Sequence, residues 1–179
     1  MKDRSPDPRA LDVASLCRGG AAVDGVTPLA RMPRLAASVL ADADGGAAEV
    51  RWSAQGSMRP VPGGPPALWL TLRAEVPVRL ECQRCLQTLS WSLTIDHPVR
   101  FVDGEEEAAR LDEELEEDVL ALEPRLDLIA LLEDELILAL PLVPRHESCP
   151  QPLPVPAAEP EEPAPNPFAA LSRLRGTSS

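Results

Sequence analysis

The run Ala67-Leu68-Trp69-Leu70-Thr71-Leu72-Arg73-Ala74-Glu75-Val76-Pro77-Val78-Arg79-Leu80 leads straight into Glu81-Cys82-Gln83-Arg84-Cys85-Leu86. Two signals stand in tandem here. In the first part Leu68, Leu70, Leu72, Ala74, Val76, Val78 and Leu80 share one face at a period of two, with Arg73, Glu75 and Arg79 on the other. That is the pattern of a long half-buried strand. Pro77 has no N–H to give to a ladder, which places its part of the strand at an edge or a bulge. The second part is a Cys-x-x-Cys pair, and thiolates three positions apart can grip one soft cation from a tight knuckle or form a redox dithiol.

Outward from this stretch the alternation continues. Leu89, Trp91, Leu93 and Ile95, then Val99 and Phe101, predict a returning strand. Upstream, Val50, Trp52 and Ala54 alternate with Glu49, Arg51 and Ser53, and Gly56–Pro66 reads as a Gly/Pro loop. Short connections between three such strands predict an antiparallel meander with the cysteine pair at one hairpin end. A further strand is expected near Ala21–Val26, a helix from Pro28 to about Leu40 weakened by Pro33, a turn over Asp42–Gly46, and a strand-like return at Val119–Leu122. Leu11–Gly25 is otherwise mixed, with Gly19-Gly20 as a breaker.

The second informative stretch is Asp127–Leu140. At 100° per residue Leu128, Ile129, Leu132, Leu136, Ala139 and Leu140 occupy one arc, with Asp127, Glu133, Asp134 and Glu135 outside it. Asp127 suits the helix N-terminus and Pro141 the stop, so a helix is expected to cover one face of the sheet.

The fold class predicted is therefore α+β, a mainly antiparallel sheet covered on one face by helices, over 11–149. Residues 1–10 are expected to be disordered and 103–118 to form a mobile acidic loop. A Pro/Glu-rich linker is expected over 150–165, and a short helical motif with its tail over 166–179.

Charge sharpens the division. The chain has 179 residues and a net charge of −12. Residues 1–100 carry 12 Lys/Arg against 10 Asp/Glu, whereas 101–179 carry 5 against 19. A nucleic-acid binder would normally show a basic stripe, whereas the dominant field here is negative and confined to one half. The acidic run is either a solvated linker or a docking surface for a basic partner. No apolar stretch is long enough to cross a membrane, and the N-terminus lacks the apolar core of a secretory signal. Four cysteines in such a chain point to reduced thiols in the cytoplasm.

Three chemistries compete at Cys82 and Cys85. His146-Glu-Ser-Cys149 supplies a second pair with the same spacing, so Cys82, Cys85, His146 and Cys149 could together hold one zinc ion. A redox dithiol lacks its usual βαβ surroundings, and purely structural cysteines are the third reading. Catalysis finds no phosphate loop, nucleophile elbow or paired acid–base set, so no enzyme is expected. Asn166-Pro167-Phe168 can start a helix that puts Phe168, Leu171 and Leu174 on one face, a form suited to docking a partner.

Taken in order, Leu-Glu-Cys-Gln-Arg-Cys-Leu at 80–86, the Asp127–His146 helix-and-proline pattern, and Asn-Pro-Phe-Ala-x-Leu from Asn166 resemble the YceD family. These are large ribosomal RNA subunit accumulation proteins. The resemblance implies a non-enzymatic role in synthesis, processing or stability of 23S ribosomal RNA, with a ribosomal or ribosome-assembly protein as partner and RNA contacted indirectly. It supplies no metal; zinc rests on the spacing alone. One alternative is direct RNA binding through Arg51, Arg73, Arg79, Arg84 and Arg100. Another is a zinc-binding interaction module without a ribosomal role.

Overall fold

The computed structural model describes residues 6–41 and 48–150. The turn expected at 42–46, most of the linker and the motif bearing Phe168, Leu171 and Leu174 lie outside the described residues. Five strands form one sheet: β1 (Ala22–Pro28), β2 (Glu49–Arg59), β3 (Ala67–Glu81), β4 (Thr88–Val102) and β5 (Val119–Ala121). Their spatial order is their chain order. The first three pairings are antiparallel and β5 runs parallel to β4. With helices α1 (Val13–Gly19), α2 (Pro33–Ala37), α3 (Glu105–Glu114) and α4 (Leu128–Leu138), the class is α+β.

The period-two reading of β3 fixes which face is buried. Leu70, Leu72, Ala74, Val76, Val78 and Leu80 join Val50, Trp52 and Ala54 of β2 and Leu93, Val99 and Phe101 of β4 in one core. α4 closes it with Leu128, Ile129, Leu132 and Leu136, and α2 with Leu35. Each such aliphatic side chain contributes about 1.5–3 kcal/mol on leaving water, which makes this face the main source of stability. Among the described residues the opposite face is mainly polar, with Arg51, Arg73, Glu75, Thr94 and Asp96 exposed.

Pro77 fits because β2 stops pairing at Glu75. Two residues on, the Arg79 carbonyl accepts from Leu40 N–H on the β2 side, so the missing N–H of Pro77 faces that same vacated side.

Five local expectations need correction. Residues 8–10 are not free: the Pro8 carbonyl accepts from Leu128 N–H at 2.8 Å, and Ala10 N–H donates to the Asp7 carbonyl at 3.0 Å, next to Leu11, which exchanges backbone bonds with Leu126. The mixed stretch after Leu11 holds α1, capped by the Asp12 carboxylate on Ser15 N–H and ended by Gly20 at φ 57. The helix expected from Pro28 is divided at Pro33 into a 3-10 turn, Leu29–Arg31, and α2, because proline begins a helix far better than it continues one.

β2 runs through Gly56 to Arg59 rather than giving way to a loop. A Cβ at Gly56 would stand 2.7 Å from the backbone of Leu16 and Cys17, so glycine there admits α1 against the strand. Finally, the acidic loop expected at 103–118 contains a helix. In α3, Arg110 bridges Glu107 and Glu114 at 2.7 Å each, and Ala108 is buried. Glu105, Glu106 and Glu107 sit in its first turn, where the helix dipole favours them. Local charge placement therefore stabilises a segment whose bulk composition reads as mobile.

Candidate metal centre

β3 and β4 end in a six-residue connection, since Glu81 still pairs with Thr88. The connection closes on itself: Leu86 N–H donates to the Cys82 carbonyl at 2.8 Å, and Cys82 N–H donates to the Gln87 carbonyl at 2.9 Å. Leu86 holds φ at 59°, the only non-glycine in the left-handed region among the described residues. That conformation costs a side-chain-bearing residue roughly 1–2 kcal/mol and persists where surrounding constraints demand it. Leu86 lies in the turn that closes the connection, where the two cysteine sulfurs come within 4.8 Å of each other.

The second pair arrives from α4. Pro141 and Pro144 keep the chain out of a helical path after Leu140, and the Pro144 carbonyl accepts from Gln83 N–H at 2.9 Å. That bond lays the strap Pro144–Cys149 against the knuckle. Cys82 Sγ then lies 3.9 Å from Cys149 Sγ, and Cys85 Sγ lies 3.4 Å from His146 Nδ1. All four ligand atoms fall within 4.8 Å of one another. A tetrahedral ion with ~2.3 Å bonds to sulfur and ~2.0 Å to nitrogen separates its ligands by roughly 3.5–3.8 Å. The cluster can hold a metal ion.

Its electrostatics favour a cation. Burial pushes the Cys82 thiol up, but N–H groups of His146, Arg84 and Cys85 point at its sulfur and outweigh burial, lowering it to about 5. Cys149 is held above the ordinary thiol value by burial and by its cysteine neighbours. Three sulfurs brought this close repel as thiolates, and a divalent ion relieves that repulsion. Cys82 and Cys85 are buried and the other two half-buried, so four protein ligands would close the shell as in a structural site.

The sequence-derived metal set is thus brought together in full. The arginines of the RNA alternative are spread along the sheet rather than clustered. Arg51, Arg73, Arg79 and Arg100 share the open face, whereas Arg84 sits on the knuckle. Arg73 is paired with Asp96 at 3.1 Å and Arg100 with Glu117 at 3.8 Å, so part of that charge is spent internally. A residue that periodicity misplaced is Glu133, which is 6% exposed rather than solvated. Its carboxylate accepts from the N–H groups of Arg34 and Leu35. The uncapped Pro33 start of α2 is the only sequence hint of that need.

Fold and site define a small α+β protein whose sheet and C-terminal strap meet at a Cys3His cluster. The chain belongs to the YceD family: the model for "Large ribosomal RNA subunit accumulation protein YceD" matches residues 70–175, from β3 through the cluster to the Asn166 motif. A protein of that name from Haemophilus influenzae is 41% identical over 115 residues, covering 58% of this chain and 63% of the relative. The match therefore spans somewhat less than two thirds of the relative's length. Among solved structures none matches. No helix of the described residues is long and apolar enough to cross a membrane.

Proposed function

We propose that this protein is a non-enzymatic factor supporting accumulation of 23S ribosomal RNA, acting in the cytoplasm through a basic ribosomal or ribosome-assembly protein. The observation that carries the reading is the family match over 70–175, which takes in both the cluster and the Asn166 motif. Charge supports a protein intermediary: residues 101–179 hold 19 acidic groups against 5 basic ones and would repel RNA phosphate. We assign the cluster to one structural zinc, since four N and S ligand atoms within 4.8 Å of one another suit that ion best. Its role is to fix the strap to the sheet. Phe168, Leu171 and Leu174 are proposed as the apolar anchor for the partner.

Direct RNA binding is the second reading, favoured by the four arginines on the open face. Sheet-type RNA binders, however, stack bases on exposed aromatics, and Trp69 here is buried beneath Arg59 at 4.0 Å.

Deleting the gene and measuring 23S relative to 16S RNA tests the function. A loss restored by wild-type protein but not by a chain ending at Pro165 supports the reading. An unchanged ratio overturns the ribosomal role and leaves a metal-binding interaction module. Steep salt dependence of ribosomal RNA binding by the pure protein would transfer the role to the open face.

A further inference from the structure

Among the described residues, the outer edge of β4 is open over most of its length. β5 pairs only with Arg100–Val102. At that end Arg100 N–H donates to Asp118 and the Val102 carbonyl accepts from Leu122, so even-numbered residues of β4 direct their backbone groups away from β3. By the same alternation Thr88, Ser90, Ser92, Thr94 and Asp96 aim theirs outward, and the described residues provide no strand to receive them. All five are exposed. From Thr88 to Asp96 the usual protections of an edge are missing, and the edge proline, Pro98, stands beyond this stretch. The register with β3 runs one-to-one from Leu68–Phe101 to Glu81–Thr88 without a bulge. Between Thr88 and Asp96 there is no Pro or Lys, and the single charge, Asp96, is paired with Arg73.

We propose that a second copy of this chain occupies this edge, its own β4 antiparallel to the first, joining two sheets into one. The midpoint of the open stretch is Ser92, which sets the two-fold axis there. Thr88 then faces Asp96 and Ser90 faces Thr94, with no like charges opposed. On the helix side Trp91 faces Leu93 and Leu89 faces Ile95. Trp91 is 39% exposed in the single chain, and such an aromatic–aliphatic cross-strand pair gives it cover.

The ends of the edge also match. Arg84 and Arg145 border the groove beside Trp91 at the knuckle end, while Glu116, Glu117 and Asp118 stand at the β5 end. Glu147 lines the same groove, so the match is one of individual groups: antiparallel pairing brings Arg84 and Arg145 of each copy toward the acidic β5 end of the other. The net charge of −12 opposes approach, but it is screened beyond about 10 Å at 0.1 M salt, whereas the pairing acts at contact. The inference stands apart from the ribosomal and metal readings.

Sedimentation equilibrium of the full, zinc-supplemented chain tests it, with far-UV circular dichroism and melting as the folding control. A reversible dimer is expected. Ser92→Lys places two ammonium groups at the axis without touching the backbone, and Ser92→Pro removes an outward N–H that β3 does not use. Each should weaken dimerisation at least about tenfold while the far-UV spectrum stays that of the folded chain and the melting temperature matches that of dilute, monomeric wild type. Ser92→Cys should form a covalent dimer on mild oxidation that wild type does not form. A monomer at every concentration, or a dimer indifferent to both edge variants, overturns the proposal. So does a wild-type edge that binds only a basic lysine–valine peptide and never itself.

Discussion

Glu133 of α4 caps α2 through the backbone of Arg34. The carboxylate accepts from Arg34 N–H at 2.6 Å and from Leu35 N–H at 3.1 Å, and the Arg34 guanidinium folds back onto it at 3.1 Å. These amides are unpaired donors at the start of a helix whose own cap position, Met32, has no side-chain acceptor. One buried carboxylate thus joins two elements 99 residues apart.

Removing that carboxylate strands two donors in a site with little water. Glu133→Ala should cost about 2–4 kcal/mol in denaturant unfolding, and Glu133→Gln less, because its carbonyl can still accept. Asp134→Asn, which alters only an exposed partner of the same arginine, should stay within about 0.5 kcal/mol. Equal costs for Glu133→Gln and Asp134→Asn would contradict the capping role.

Metal removal should loosen the strap and spare the sheet, because Cys82 and Cys85 lie outside the main core cluster. Chelation is expected to release about one zinc per chain. The Gln83 amide, which donates to Pro144, should lose its exchange protection, while amides of Leu70 and Leu72 keep theirs. Cys82→Ser should reproduce the chelated state without chelator. Full protection of Gln83 in metal-free protein would show that the strap holds without an ion.

At Leu86 the left-handed backbone and 57% exposure combine to make glycine an acceptable replacement. Leu86→Gly should retain metal and leave stability unchanged or raised by up to about 1 kcal/mol, the relieved strain being offset by a more flexible unfolded chain. Leu86→Val, branched at Cβ, should lower both melting temperature and metal occupancy. The reverse order of these two variants would mean that the turn does not impose this conformation.

Glu135 gives a pH signature. Burial, foremost, and then the neighbouring Asp118 and Asp134 raise its carboxyl above the ordinary value, with His97 acting in the opposite sense. The folded state therefore binds this proton more tightly than the unfolded one. The favourable contribution is complete below the unfolded carboxyl value of 4.5 and is lost as pH rises through the higher folded value. Glu135→Gln should accordingly gain stability relative to wild type on going from acid to neutral pH. Parallel stability–pH curves for the two proteins would refute it.

The sequence by itself determined the parts governed by local period and spacing. β3 and α4 were legible because a strand half-buried by one layer must alternate, and a covering helix must keep one apolar arc. The metal set was legible because two cysteines at fixed spacing and a matching His/Cys pair are chemically unusual in a chain with few of either. Tertiary structure decided the rest. Whether Glu133 meets water depends on α2, an element far away in sequence, and Gly56 remains in a strand because α1 lies against it. The acidic run forms α3 partly because Ala108 finds a buried place and Arg110 stands within reach of two glutamates, details that net charge averages away. Convergence of Cys82 and Cys85 with His146 and Cys149 is likewise accompanied by the long-range Gln83–Pro144 bond, which no local pattern announces. Periodicity reports the faces of an element, but only the packed neighbours decide which polar group on those faces is satisfied inside.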